Sequence, residues 1–203
     1  MTEEEFLACN DPTALLDFLE GKASGRKLQL FAVACCYITL QSSPNPPAQE
    51  SFEAVVRFAN GAGTLEEVLK FWGNPSTNPQ AISYPEQPLQ WARAYAVDAS
   101  MTSEEREIFE VADHPRNYEV LGLLCDIFGN PFHPITLDPS WLTSTVTTLA
   151  RQMYDTRDFS AMPILADALQ DASCEDSQVL SHCRGEGVHV RGCFVVDACL
   201  VRR

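Results

Sequence analysis

Apolar residues recur at three-and-four spacing along nearly the whole chain, the period of a helix with one buried face. Leu28, Phe31, Cys35 and Ile38 form one such stripe. Phe52, Val55, Val56 and Ala59 form the next, stopped by Gly61, and Leu65, Val68, Leu69 and Trp72 follow, closed by Gly73. Start signals agree with the stripes. Asp11 before Pro12 reads as an N-cap with proline at the first helical position, and Gly21 ends that helix. Thr64 with Glu67, and Thr102 with Glu105, are capping boxes. Ala92, Tyr95, Ala96 and Ala99 share a face, as do Leu121, Leu124, Cys125 and Phe128 before Gly129. Asp138-Pro139 opens a helix with Leu142, Val146, Leu149 and Met153 inward. Ser160, Pro163, Leu165, Ala168 and Leu169 describe another, and Val179, Leu180 and Cys183 a short one. Beyond the turn Gly185-Glu186-Gly187, Cys193, Val196 and Leu200 share a face of a final helix, with a short strand at Val195-Val196 as the alternative. The expected fold is all-α, with about ten helices and no fixed-period repeat.

Two stretches interrupt the pattern. Residues 42–47 (SSPNPP) exclude helix, and residues 73–88 carry four prolines. The second stretch is read as a Pro-rich linker between an N-terminal helical part, 1–72, and a C-terminal helical part, 89–203. So short an N-terminal part buries a modest core, so the two parts are expected to dock as one globular unit. Trp72, Trp91 and Trp141 fall on helical stripes and read as core anchors. The loop 130–137 (NPFHPITL) is pinned by proline, with Phe132 expected inward and His133 exposed.

Charge narrows the partners. Fourteen Lys and Arg against 28 Asp and Glu leave a net charge of −14. Phosphate backbones and anionic membrane surfaces need concentrated basic residues, so neither is an expected partner. A protein partner, including a basic one, is compatible with this excess. No apolar run reaches the 18 residues of a membrane span. The opening Met1-Thr2-Glu3-Glu4-Glu5 is acidic where a signal peptide is basic, which points to a cytoplasmic location. There the eight cysteines are expected to be thiols or metal ligands.

The chemically richest segment lies between residues 174 and 193. Cys174, Cys183, His189 and Cys193 offer three sulfurs and one imidazole, a set that zinc accepts, and His189 and Cys193 have helix-compatible spacing. The spacing is not that of a CxxC knuckle, and small buried thiols account for the same cysteines. His182-Cys183 suggests a phosphatase loop, but the arginine falls two positions late at Arg191 and no strand precedes it. Cys193 near a helix start with His189 as base is the remaining nucleophilic arrangement. Asp167, Asp171, Glu175 and Asp176 read as a solvated helix face. The expected function is therefore a non-enzymatic helical interaction or scaffold module. The alternatives are a zinc-stabilised domain or a Cys/His-dependent enzyme using the 174–193 region.

Three stretches carry a resemblance: 126–142 (DIFGNPFHPITLDPSWL), 163–172 (PILADALQDA) and 182–197 (HCRGEGVHVRGCFVVD). Together with the opening 6–31, they resemble a large bacterial family of uncharacterised proteins. The resemblance implies no activity and no catalytic residue, because the family has none established. That family's loop often carries arginine where this chain has His133.

Overall fold

The computed structural model describes residues 1–40, 49–72 and 115–202. Among the described residues there are ten α-helices and no strand, so the chain is all-α. It divides into two compact units, Met1–Leu124 and Cys125–Arg203. The linker expected at 73–88, the 42–47 loop, the stripe from Ala92 to Ala99, the Thr102/Glu105 box and Trp91 lie outside the described residues. No described helix is long and apolar enough to cross a membrane.

In the first unit, α1 is Glu3–Leu7, α2 Pro12–Leu19, α3 Gly25–Leu40, α4 Gln49–Ala59 and α5 Leu65–Trp72. The acidic opening is a helix because Thr2 and Glu5 close a capping box: Thr2 N–H donates to Glu5 Oε2 at 2.7 Å, and Glu5 N–H donates to Thr2 Oγ1 at 3.2 Å. Asp11 caps α2 as its sequence implies, accepting from Thr13 N–H at 2.9 Å. Gly21 and Gly61 take the left-handed turns that end α2 and α4. The stripe on α3 understates its burial, since every residue from 28 to 35 is buried, Gln29 included. A helix buried on all sides is central, and α3 packs on α4, which packs on α5. Leu30, Ala32 and Val33 meet Phe52, Val55, Val56 and Val68 in one cluster, with Tyr37 stacked on Phe52 at 4.3 Å.

The helix α6, Pro115–Phe128, runs into the second unit, where α7 is Ser144–Thr156, α8 Met162–Asp171, α9 Ser177–Arg184 and α10 Phe194–Cys199. From α7 onward each helix packs on the next, and α10 also returns to α7. The shared core takes Val146, Ala150 and Met153 from α7, Met162, Leu165 and Leu169 from α8, Val179 and Cys183 from α9, and Val195, Val196 and Cys199 from α10. Val195-Val196 is thus helical, not a strand. Both are buried in the first turn of α10, a position that their apolar neighbours on three helices favour over extended pairing.

Two other expectations are corrected here. Asp138 does not open the long helix. It accepts from Ser140 N–H at 2.8 Å and caps a single 3₁₀ turn, Pro139–Trp141, after which α7 restarts under Thr143. The buried face of α6 is also rotated from the expected one: Val120, Leu123, Leu124 and Ile127 are buried, and Cys125 is exposed. The rotated face also takes in Asp126, which is buried beside Ile127.

Candidate functional site

Asp126 is the only charged residue between Glu119 and Asp138, and its side chain is 2% exposed. It stands in the last turn of α6, which stops at Gly129 in a left-handed turn. A Cβ on Gly129 would lie 3.1–3.2 Å from the Phe194 ring, so both the left-handed backbone and the tight space favour glycine there. The Phe194 ring in turn lies against His182, with centroids 4.4 Å apart.

His182 belongs to the last turn of α9. Asp176 caps that helix, accepting from the N–H groups of Gln178 and Val179 at 2.9 and 3.1 Å. After the glycine turn, residues 188–193 run without regular structure to Cys193, the N-cap of α10. Two ties place this segment. Val190 N–H donates to Asp126 Oδ2 at 2.9 Å, and Arg191 donates from Nε to the Tyr154 carbonyl at 2.6 Å and from Nη2 to the Asp155 carbonyl at 3.1 Å. These carbonyls belong to the last turn of α7, where backbone acceptors lack helical partners. The Arg191 and Arg202 guanidinium groups both lie over the Tyr154 ring, at 5.4 and 4.2 Å.

The result is a convergence of four donors. His182 Nε2 is 3.1 Å from Asp126 Oδ1 and 3.3 Å from Cys193 Sγ. His189 Nδ1 is 2.7 Å from the same Oδ1. One ligand atom from each of Asp126, His182, His189 and Cys193 lies within 4.8 Å of all the others, a spacing that could hold a metal ion. The two imidazoles meet edge to face at 4.8 Å. The His189 side chain is 7% exposed, and its Nε2 is buried without a hydrogen-bond partner among the described residues.

Electrostatics separate the two acidic members. Burial pushes the Asp126 carboxyl up, but hydrogen bonds from His182, His189 and the Val190 N–H outweigh it and hold the group below the usual carboxylate range. Burial, then the neighbouring Asp126 charge, push the Cys193 thiol well above its usual value, against the pull of backbone groups at the start of α10.

Of the residues expected to bind zinc, the structure brings together His189 and Cys193 only. Cys174 and Cys183 are buried in the apolar core of the second unit with Cys199, outside the donor group. Burial first, then neighbouring thiols, push Cys183 up to about 12; burial first does the same for Cys199, also to about 12. Their places are taken by His182 and by Asp126. The lone charge inside the apolar run GLLCDIFG is the signal that could have found Asp126. Cys183 lies in the helix α9 with its thiol buried, as the rejection of a phosphatase loop requires. His133 is exposed, and Phe132 is half-buried. Asp167 is exposed and pairs with Arg184 at 2.8 Å, while Asp176 serves as a helix cap. Comparison of the chain with protein-family models, curated proteins and solved structures finds no match.

Proposed function

We propose that the chain is a non-enzymatic helical interaction or scaffold module, in which the Asp126–His182–His189–Cys193 cluster holds shape and does not react. One observation supports this most directly: His182 meets both Cys193 and Asp126 through the same nitrogen, Nε2. A nucleophilic relay needs the thiol on one ring nitrogen and the orienting carboxylate on the other, so that a proton taken from sulfur is balanced from behind. Here both partners crowd one edge of the ring. Cys193 is also 0% exposed, which leaves no path for a substrate carbonyl to reach sulfur. The partner this reading calls for is a protein, and a basic one suits the net charge of −14.

The four cluster residues come from two of the three stretches that resemble the uncharacterised bacterial family, and we take the cluster to be the feature those stretches encode. A reducing, cytoplasmic setting belongs to the same reading, in which the seven cysteines among the described residues stay free thiols. Alkylation of the native full-length chain with iodoacetamide, followed by peptide mass spectrometry, tests it. Cys193 should label far more slowly than the exposed Cys125. Labelling of Cys193 faster than Cys125 at neutral pH would return the cluster to the enzyme reading.

A further inference from the structure

We propose that Asp126, His182, His189 and Cys193 are the ligands of a single zinc ion. The proposal rests on the reading of this cluster as structural. A hydrogen-bonded network without a metal accounts for Asp126, whose two oxygens meet His182, His189 and the Val190 N–H. One other feature is left over. Cys193 Sγ lies 3.3 Å from the ring nitrogen that already faces the carboxylate, and His189 Nδ1 lies against the same carboxylate oxygen, so four donor atoms crowd a common point. Four metal-ligating side chains whose donor atoms lie within 4.8 Å of one another point to an ion there.

The donor set selects the ion. One thiolate, two imidazoles and one carboxylate form a borderline group, which suits zinc better than magnesium or calcium. Zinc bonds of about 2.0–2.1 Å to nitrogen and oxygen and about 2.3 Å to sulfur place tetrahedral ligands roughly 3.3–3.6 Å apart. The separations of 2.7, 3.1 and 3.3 Å would open by roughly 0.2–0.7 Å, and donor pairs as far as 4.8 Å apart would close by roughly an ångström, to admit the ion. Zinc would enter with the loss of the Cys193 proton to solvent, leaving a thiolate on the metal. Four protein ligands, with Asp126 and Cys193 sealed from solvent, describe a closed structural centre without a place for substrate. The ion would join α6, α9 and the irregular segment before α10, which otherwise meet through the hydrogen bonds already described.

The full chain, produced without a histidine tag, should carry about one zinc per molecule after dialysis, read by elemental mass spectrometry. Replacement by cobalt(II) should give tetrahedral ligand-field bands and a thiolate-to-cobalt charge-transfer band. Cys193→Ser should abolish the charge-transfer band, and Cys125→Ser, which alters an exposed neighbour of Asp126, should leave the spectrum unchanged. Outer-shell partners of a metal are worth about 10–100-fold in affinity, so His182→Ala should weaken zinc by more than that. Wild-type protein that takes up neither zinc nor cobalt overturns the proposal, as does a charge-transfer band that survives Cys193→Ser. If zinc fails while Cys193 stays resistant to iodoacetamide, the structural reading stands as a network of hydrogen bonds alone. Rapid labelling of Cys193 removes that reading itself.

Discussion

Among the described residues of Met1–Leu124, the helix α3 buries eight successive residues of which Gln29 alone is polar. In Cys125–Arg203 the buried set includes Asp126, Asp197, the thiols of Cys174, Cys183, Cys193 and Cys199, and the thioethers of Met153 and Met162. The two units therefore specify their shapes by different means. Apolar surface is non-directional, and a core made of it tolerates exchanges that conserve volume. A carboxylate buried among imidazoles has directions to satisfy, and it strands its partners when it is removed. Small domains of roughly 70–80 residues gain only a few kcal/mol from one apolar core and commonly add a staple. The second unit is of that size, and the polar cluster is where a staple would sit.

The largest expected effect that tests this contrast is Asp126→Ala. It leaves His182, His189 and the Val190 N–H without their acceptor in a site 2% exposed, so the loss should reach about 3–5 kcal/mol by denaturant unfolding. An apolar truncation in the first unit, Phe31→Ala, should cost a similar ~3–5 kcal/mol through its cavity. The cost is alike, but the remedy differs. Excess zinc should restore neither variant fully, yet it should raise the melting temperature of Phe31→Ala as it does that of wild type, and leave Asp126→Ala unmoved. Equal response of the two would erase the distinction between the units.

Acid should act on the same residue. Unfolded Asp126 takes up a proton near its ordinary value of about 4, whereas the folded group resists until the pH is lower. Its contribution to stability is thus fully present above that ordinary value and is lost as pH falls through the depressed folded value. Wild type should lose stability more steeply with acidification than Asp126→Asn. Parallel pH–stability curves for the two would show that the carboxylate is not held as the hydrogen bonds imply.

What could be read from sequence follows the same division. Periodicity locates α3, α4 and α9 because their buried residues are apolar and local in sequence: Leu28, Phe31 and Cys35, Phe52 and Val55, Val179 and Cys183. The cluster was half legible. His189 and Cys193 stand four residues apart, but Asp126 lies 63 residues before His189, and a search for helical stripes treats it as a polar gap. His182 faces the cluster and Cys183 does not, for a geometric reason. Adjacent residues on a helix point about 100° apart, so only one of the pair can face the cluster. Val179 and Cys183, one turn apart, commit that face to the apolar core and leave His182 for the donors.

Gly129→Ala should have an intermediate effect. Its left-handed backbone resists a side chain, and the new methyl would meet Phe194, whose ring supports His182. A loss of about 1–3 kcal/mol is expected, read as a lower denaturant midpoint. Gly61 has the same backbone sign with open space at its Cβ, so Gly61→Ala should cost only the conformational strain, ~1 kcal/mol. A Gly129→Ala penalty no larger than that at Gly61 would mean that the Phe194 contact is slack and does not brace the site.

The smallest expected effects come from a matched pair of helix caps. Asp11 caps α2 and Asp176 caps α9, both eight-residue helices, the first accepting one backbone N–H of the first turn and the second two. Replacing either by alanine should cost ~1 kcal/mol of stability. Of these two helices, α9 alone carries a proposed ligand. If part of that lost order must be restored on binding, Asp176→Ala should weaken zinc by at most about fivefold, the factor equivalent to ~1 kcal/mol. The effect should fall below this ceiling, because His182 stands in the last turn and the cap at the first. Asp11→Ala should leave zinc affinity unchanged. Competition titrations against a zinc-binding dye resolve a difference of this size. Equal weakening by the two variants would show that the proposed centre senses general stability and not the local order of α9.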